Sequence, residues 1–127
     1  MSKDISSMTT AVYDERARGW VARLERAEKA RSGTDLDEAR GEVATRLGVL
    51  PGTLENLRRR RTKGVRGWVY QRLRAAMIVQ LQHEIAAQSH GLEMLVQGGA
   101  RPDSREVQEV QTSLAALHRA LSEVVSA

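Results

Sequence analysis

The stretch from Arg40 to Arg61, RGEVATRLGVLPGTLENLRRRR, constrains the fold of this chain more than any other. Its spacing is that of two short helices joined by a tight turn. Ala44 lies four residues before Gly48, Val43 and Leu47 are one helical turn apart, and Val49 follows the glycine. Leu54 and Leu57 resume the helical spacing after Pro51. Two helices crossing at a steep angle need a small residue where their backbones approach, and Ala44 fits that place. The turn favours a residue that tolerates positive φ, the natural role of Gly48. Pro51 suits the first turn of a new helix, where its missing N–H has no partner to lose. Val43, Leu47, Val49, Leu54 and Leu57 then form a small shared core.

This arrangement resembles the helix-turn-helix of bacterial and phage repressors and regulators, as a general motif that covers about a sixth of the chain. The resemblance implies that the second helix, about Pro51 to Arg61, lies in the major groove of DNA. Positions facing away from Leu54 and Leu57 are then the base readers: Gly52, Thr53, Glu55, Asn56 and Arg59. Asn56 suits adenine, Arg59 guanine, and Glu55 a cytosine amino group, while Gly52 lets the backbone approach closely. Arg58, Arg60, Arg61, Lys63 and Arg66 are expected on phosphates. One position departs from the pattern. Leu50 occupies the N-cap, where Ser, Thr, Asn or Asp would satisfy a free amide, which leaves that role to Thr53 or to a DNA phosphate. An ordinary helical pair without a DNA partner would carry the same glycine and small residue.

Charge distribution favours the DNA reading. Residues 1–57 carry a net charge of −1, residues 58–74 carry 8 Lys/Arg and no acid, and residues 75–127 carry −3. The positive excess therefore sits in a single stretch that begins inside the second helix. Lys and Arg near phosphates release condensed counterions, the source of sequence-independent DNA affinity. Arginine accounts for 17 of the 20 basic residues, and guanidinium suits bidentate contact with phosphate and guanine.

At 127 residues the chain is one domain, or a small head with an appended helical element. With no Phe, two Trp and two Tyr, its core must be mainly Leu, Val and Ala. The absence of cysteine excludes disulfides and thiolate metal sites and is compatible with a reducing cytoplasm. No apolar run approaches the roughly 20 residues of a membrane span. The amino end, MSKDISSMTT, has no hydrophobic core of a secretory signal, and residues 1–9 are expected as a flexible polar tail.

The expected fold is all-α: a trihelical head over residues 10–64, then a helical dimerisation region over residues 65–127. A first helix, about Thr10 to Arg31, shows an apolar stripe of Tyr13, Ala17, Trp20, Leu24 and Ala27. Ser32, Gly33 and Thr34 end it. Thr34 or Asp35 caps a second helix, about Leu36 to Leu47, with Asp37 and Glu38 near its amino end and Leu36, Ala39, Val43 and Leu47 inward. Thr62 to Gly67 reads as a wing-like turn or a linker, and six residues favour the linker. About Trp68 to Gln97 is a long helical segment with Val69, Leu73, Met77, Leu81, Ile85, Leu92 and Leu95 apolar, which Ser89-His90-Gly91 is expected to kink or break. GGARPDS is a turn, and Arg105 to Val125 is the last helix. Its seam, Val107, Val110, Leu114, Leu117, Leu121 and Val124, alternates steps of three and four, the repeat of a coiled coil. A helical hairpin packed on its own head accounts for part of this pattern. Dimerisation accounts for more, because the paired helices exceed what a small head can cover.

Catalytic patterns are lacking. His83, His90 and His118 are the only histidines. None forms an HExxH pair, and there is neither a Gly-rich phosphate loop nor a G-x-S-x-G elbow. No metal and no cofactor are expected, and the chain is read as a non-enzyme. The expected function is that of a sequence-specific transcriptional regulator, a cytoplasmic, nucleoid-associated homodimer on double-stranded DNA with no membrane partner. A DNA-binding assembly adaptor, similar to a phage small terminase subunit or a plasmid replication or partition accessory, is the alternative. A third class is a protein–protein interaction module whose basic stretch meets an acidic partner.

Overall fold

Proline is sparse in this chain, two residues in 127, and helices take up most of the described residues. The computed structural model describes the backbone of residues 2–60 and 64–127 and the side chains from residue 11 onward. Among the described residues there are five helices and no strand: α1 (Ser2–Ser32), α2 (Leu36–Leu47), α3 (Pro51–Arg58), α4 (Gly67–Gln97) and α5 (Arg105–Ser126). The fold is all-α, as the periodicity requires. No helix among the described residues is long and apolar enough to cross a membrane.

The chain divides into two compact units, Met1–Ala76 and Met77–Ala127. The division falls inside α4. In the first unit α1 packs on α2 and α3, and α2 packs on α3. Its core joins Ala17, Val21 and Leu24 to Ala39, Val43, Ala44 and Leu47, then to Leu54 and Leu57, with Val69, Tyr70 and Leu73 from the start of α4. Fully burying a leucine or valine side chain contributes about 1.5–3 kcal/mol. Ala44 is wholly buried, as expected of the small residue between two close backbones.

Three expectations change here. Helix α1 starts at Ser2 rather than near Thr10. No glycine or proline interrupts residues 2–18, so a nucleated helix propagates outward at little cost. The buried face of α1 is also rotated from the stripe read by hydrophobicity. Tyr13 is exposed and Ala27 half-buried, while Asp14, Val21, Glu25 and Glu28 are buried. The acids turn inward because partners await them. Glu25 accepts from Arg40 Nε at 2.9 Å and Glu28 from Arg46 Nη2 at 3.2 Å, and Arg31 also pairs with Glu28. These carboxylates tie α1 to α2. Leu36, expected inward, is exposed at the first turn of α2, ahead of the point where Ala39 meets the core.

Two aromatic contacts seat the start of α4 in this unit. Tyr70 meets Trp20 at 4.9 Å and Tyr13 edge-on at 5.0 Å between ring centroids. Such pairs contribute roughly 0.5–1.5 kcal/mol beyond their buried area.

In the second unit α4 continues without interruption through Ser89, His90 and Gly91, against the expected break. A single glycine costs a helix only about 1 kcal/mol relative to alanine, less than a long helix needs to stop. The GGARPDS turn forms as read, with Gly98 N–H on Met94 O at 3.0 Å and Ala100 N–H on Leu95 O at 2.9 Å. Ser104 then caps α5, its hydroxyl accepting from Val107 N–H at 3.3 Å. Met77, Leu81, Val107 and Val124 are buried. Ile85, Leu92, Leu95, Val110, Leu114, Leu117 and Leu121 are half-buried.

Candidate nucleic-acid interface

The site is built from α2, its turn and α3. Asp35 caps α2 in extended geometry and accepts from Glu38 N–H at 2.8 Å, with Asp37 and Glu38 in the first turn. This arrangement satisfies a free amide and complements the helix dipole. At the other end Gly48 is left-handed, at φ 70°. Gly48 N–H meets Thr45 O at 3.2 Å and Val49 N–H meets Ala44 O at 3.0 Å. These paired bonds close the helix and turn the chain.

A residue from α4 locks this turn. Arg72 Nη1 donates to Leu47 O at 2.8 Å and to Gly48 O at 3.3 Å. It satisfies carbonyls that the helix end leaves open and places positive charge at the negative end of the dipole. The same guanidinium lies 5.0 Å from the Trp68 ring centroid, within cation–π range. Arg72 belongs to the basic stretch, yet its hydrogen bonds are structural.

Helix α3 begins at Pro51, with Leu50 at the N-cap and no side-chain cap. Thr53 N–H is taken by Leu50 O at 2.9 Å, so the backbone supplies one partner and Gly52 N–H stays uncapped at an exposed residue. Leu54 and Leu57 are buried. Away from them, Gly52 and Asn56 are exposed, and Arg58, one turn after Leu54, is exposed at the flank. Thr53 and Glu55 are half-buried, less open than readers of base edges need to be. Glu55 is held by Arg59 in an ion pair of 3.1 Å. Of the five positions assigned to bases, Gly52, Asn56 and Arg59 are thus exposed together.

Helix α3 stops at Arg58, three residues before the expected Arg61. Arg59 is its C-cap, and Arg60 is left-handed at φ 59°, rare for a residue with a side chain. The side chain of Arg60 pairs with Glu15 on α1. That contact draws the chain back toward α1, where continuing the helix would carry it away. Arg18 first, then Arg60, hold the Glu15 carboxyl below its ordinary value of 4.5. In the buried pair, Glu25 raises the Arg40 guanidinium above its already high value. Arg58 and Arg66 are exposed and carry no ion pair among the described residues. Arg61 and Lys63, expected on phosphates, lie outside the described residues.

The segment that follows is organised by a buried acid. Asp14 accepts from Val65 N–H at 2.7 Å and from Gly64 N–H at 3.2 Å. Asp14 and Arg72 are the residues that sequence reasoning missed. Asp14 had a weak signal, as an acid one position from the apolar stripe of α1. Arg72 had none, because its arginine neighbours hide it.

The six seam residues assigned to dimerisation, Val107, Val110, Leu114, Leu117, Leu121 and Val124, fall on one side of α5. Only its end members Val107 and Val124 are buried within the chain. No cluster of three or more His, Cys, Asp or Glu side chains that could hold a metal ion occurs among the described residues. Compared with family models, curated proteins and solved structures, the chain matches none.

Proposed function

We propose that this protein binds double-stranded DNA as a transcriptional regulator, with α2 and α3 as a helix-turn-helix and α3 in the major groove. One observation carries the proposal. α3 is a short helix set on a glycine turn, its Leu54–Leu57 face buried and its Gly52–Asn56 face open, with Arg58 and Arg66 exposed and carrying no ion pair among the described residues. Asn56 reads a base edge, and Arg59 does so once it exchanges Glu55 for guanine. Arg58 and Arg66 hold phosphates, and the uncapped Gly52 amide at the helix start is suited to another. Gly52 and Asn56 meet the duplex most directly, and Thr53 and Glu55 flank them.

A second copy of the chain completes the reading. The second unit acts as a helical hairpin that dimerises through α5, supported by the half-exposed seam Val110, Leu114, Leu117 and Leu121. Two recognition helices then meet half-sites about 34–36 Å apart on one face of the duplex. The expected mass in light scattering is that of two chains.

Selection of bound sites from random DNA tests the proposal. A palindromic consensus is expected. Asn56→Ala should weaken specific binding by about 1–3 kcal/mol and relax one base position. Neutralising Arg58 and Arg66 should flatten the dependence of log affinity on log salt by about one per lost contact, on specific and random duplexes alike. Absence of enrichment, together with absence of salt-sensitive duplex binding, would remove DNA from the account.

A further inference from the structure

A cavity of about 490 Å³ opens beside α3, within the first unit. Its volume lies in the range of small-molecule sites. Leu50, Val65 and Trp68 give it apolar walls, and Thr53, Asn56 and Arg66 supply polar groups. Leu50 is 76 % exposed and Trp68 49 %, an unusual outlay of apolar surface next to a turn this ordered. The walls are fixed by bonds already described. Arg72 holds the Gly48 turn and lies over Trp68, and Asp14 holds the Val65 amide. The cavity is therefore formed before anything enters it, which lowers the ordering cost of binding.

Charge selects the occupant. Among the described residues, no Asp or Glu lines the cavity. Arg66 is a lining residue, exposed and without an ion pair among the described residues. A flat aromatic body satisfies Leu50 and Trp68, and a carboxylate satisfies Arg66 through a charge-assisted bond. We infer that this cavity is an effector site for a planar aromatic carboxylate. Asn56 belongs to the outer side of α3, so an occupant and a DNA duplex exclude one another. That regulatory consequence rests on the DNA-binding reading, whereas the ligand site does not.

The test uses the full chain and 1-naphthoate as probe, with 1-naphthalenemethanol as its neutral counterpart. Binding is read from the two indole N–H resonances, assigned through Trp68→Phe. The Trp68 signal should shift and saturate with a dissociation constant on the order of a millimolar or tighter, while that of buried Trp20 stays in place. The alcohol should bind about tenfold more weakly, and Arg66→Gln should erase that preference. Bound 1-naphthoate should also raise the apparent dissociation constant for duplex DNA. An unmoved Trp68 signal at about ten times that concentration, or equal binding of acid and alcohol, would overturn the site. Saturable binding that leaves duplex affinity unchanged would overturn the competition. Saturable binding by a chain that binds no duplex would overturn the DNA reading while leaving the ligand site standing.

Discussion

The first unit closes its core with α1, α2, α3 and the start of α4 and with buried ion pairs, while the second leaves its most regular apolar seam half open. In α1 the buried face mixes Ala17, Val21 and Leu24 with Asp14, Glu25 and Glu28, a pattern that looks imperfect by hydrophobicity alone. It is nonetheless covered, since α2, α3 and the start of α4 supply both apolar neighbours and cationic partners. In α5 the seam repeats faithfully, yet Val110, Leu114, Leu117 and Leu121 remain half-buried. Periodicity describes one face of one helix. Whether that face is dry depends on the surface that meets it.

The largest effect should separate the two cores. Leu54→Ala removes a fully buried side chain and should cost about 3–4 kcal/mol in denaturant unfolding. Leu114→Ala should cost about 1 kcal/mol in dilute solution, where its side chain is already partly in water. If the seam joins two copies, the second loss grows with protein concentration, and so does the wild-type midpoint. Equal, concentration-independent losses would mean that the seam is as closed as the head.

Ion pairs should divide the same way. Arg40→Met strands the Glu25 carboxylate, whose side chain is only 3 % exposed, and should destabilise by about 3 kcal/mol. Arg105→Met breaks an exposed pair within α5, Arg105 to Glu109 at 3.0 Å, and should change stability by about 0.5 kcal/mol or less. Unfolding at low and high salt would show the first loss persisting and the second disappearing.

Two glycines should respond with opposite signs. At Gly48 a Cβ would stand 2.6 Å from Arg72 Nη1, and φ is already +70°. Gly48→Ala should therefore cost about 2 kcal/mol, from backbone strain and displacement of the arginine. Gly91 lies inside α4, and a Cβ there meets nothing within 4 Å. Gly91→Ala should stabilise by about 1 kcal/mol. A loss in thermal unfolding instead would place a partner helix against that glycine.

The smallest effect concerns Glu15, whose carboxyl is held low by Arg18 and Arg60. A depressed value in the folded state stabilises above the ordinary 4.5 and is lost as pH falls through the folded value. Glu15→Gln should unfold slightly earlier than wild type near neutrality. The two curves should converge in acid and in high salt, because the pair is exposed and screened. A gap that widens in acid would reverse the sign argued here.

Much of the local architecture was legible. The bounds of α2, the Asp35 cap, the left-handed Gly48, the start of α3 at Pro51 and the start of α5 at Arg105 all depend on residues within one or two turns of each other. The outer position of Asn56 follows from Leu54 and Leu57 in the same way. The cavity beside α3 was illegible, because its walls come from a turn, a helix and a connector brought together only by folding.

By itself the sequence determined the helices, their caps and the glycine turn, since these answer to backbone bonds and rotamer limits over a few residues. Tertiary structure decided which face of α1 is buried, where α3 stops and which arginines are tied into ion pairs. Val65 finds Asp14 across 51 positions, and Arg72 finds Leu47 across 25. A charge's role is set by the partner it reaches in space, and the spacing along the chain does not specify that partner.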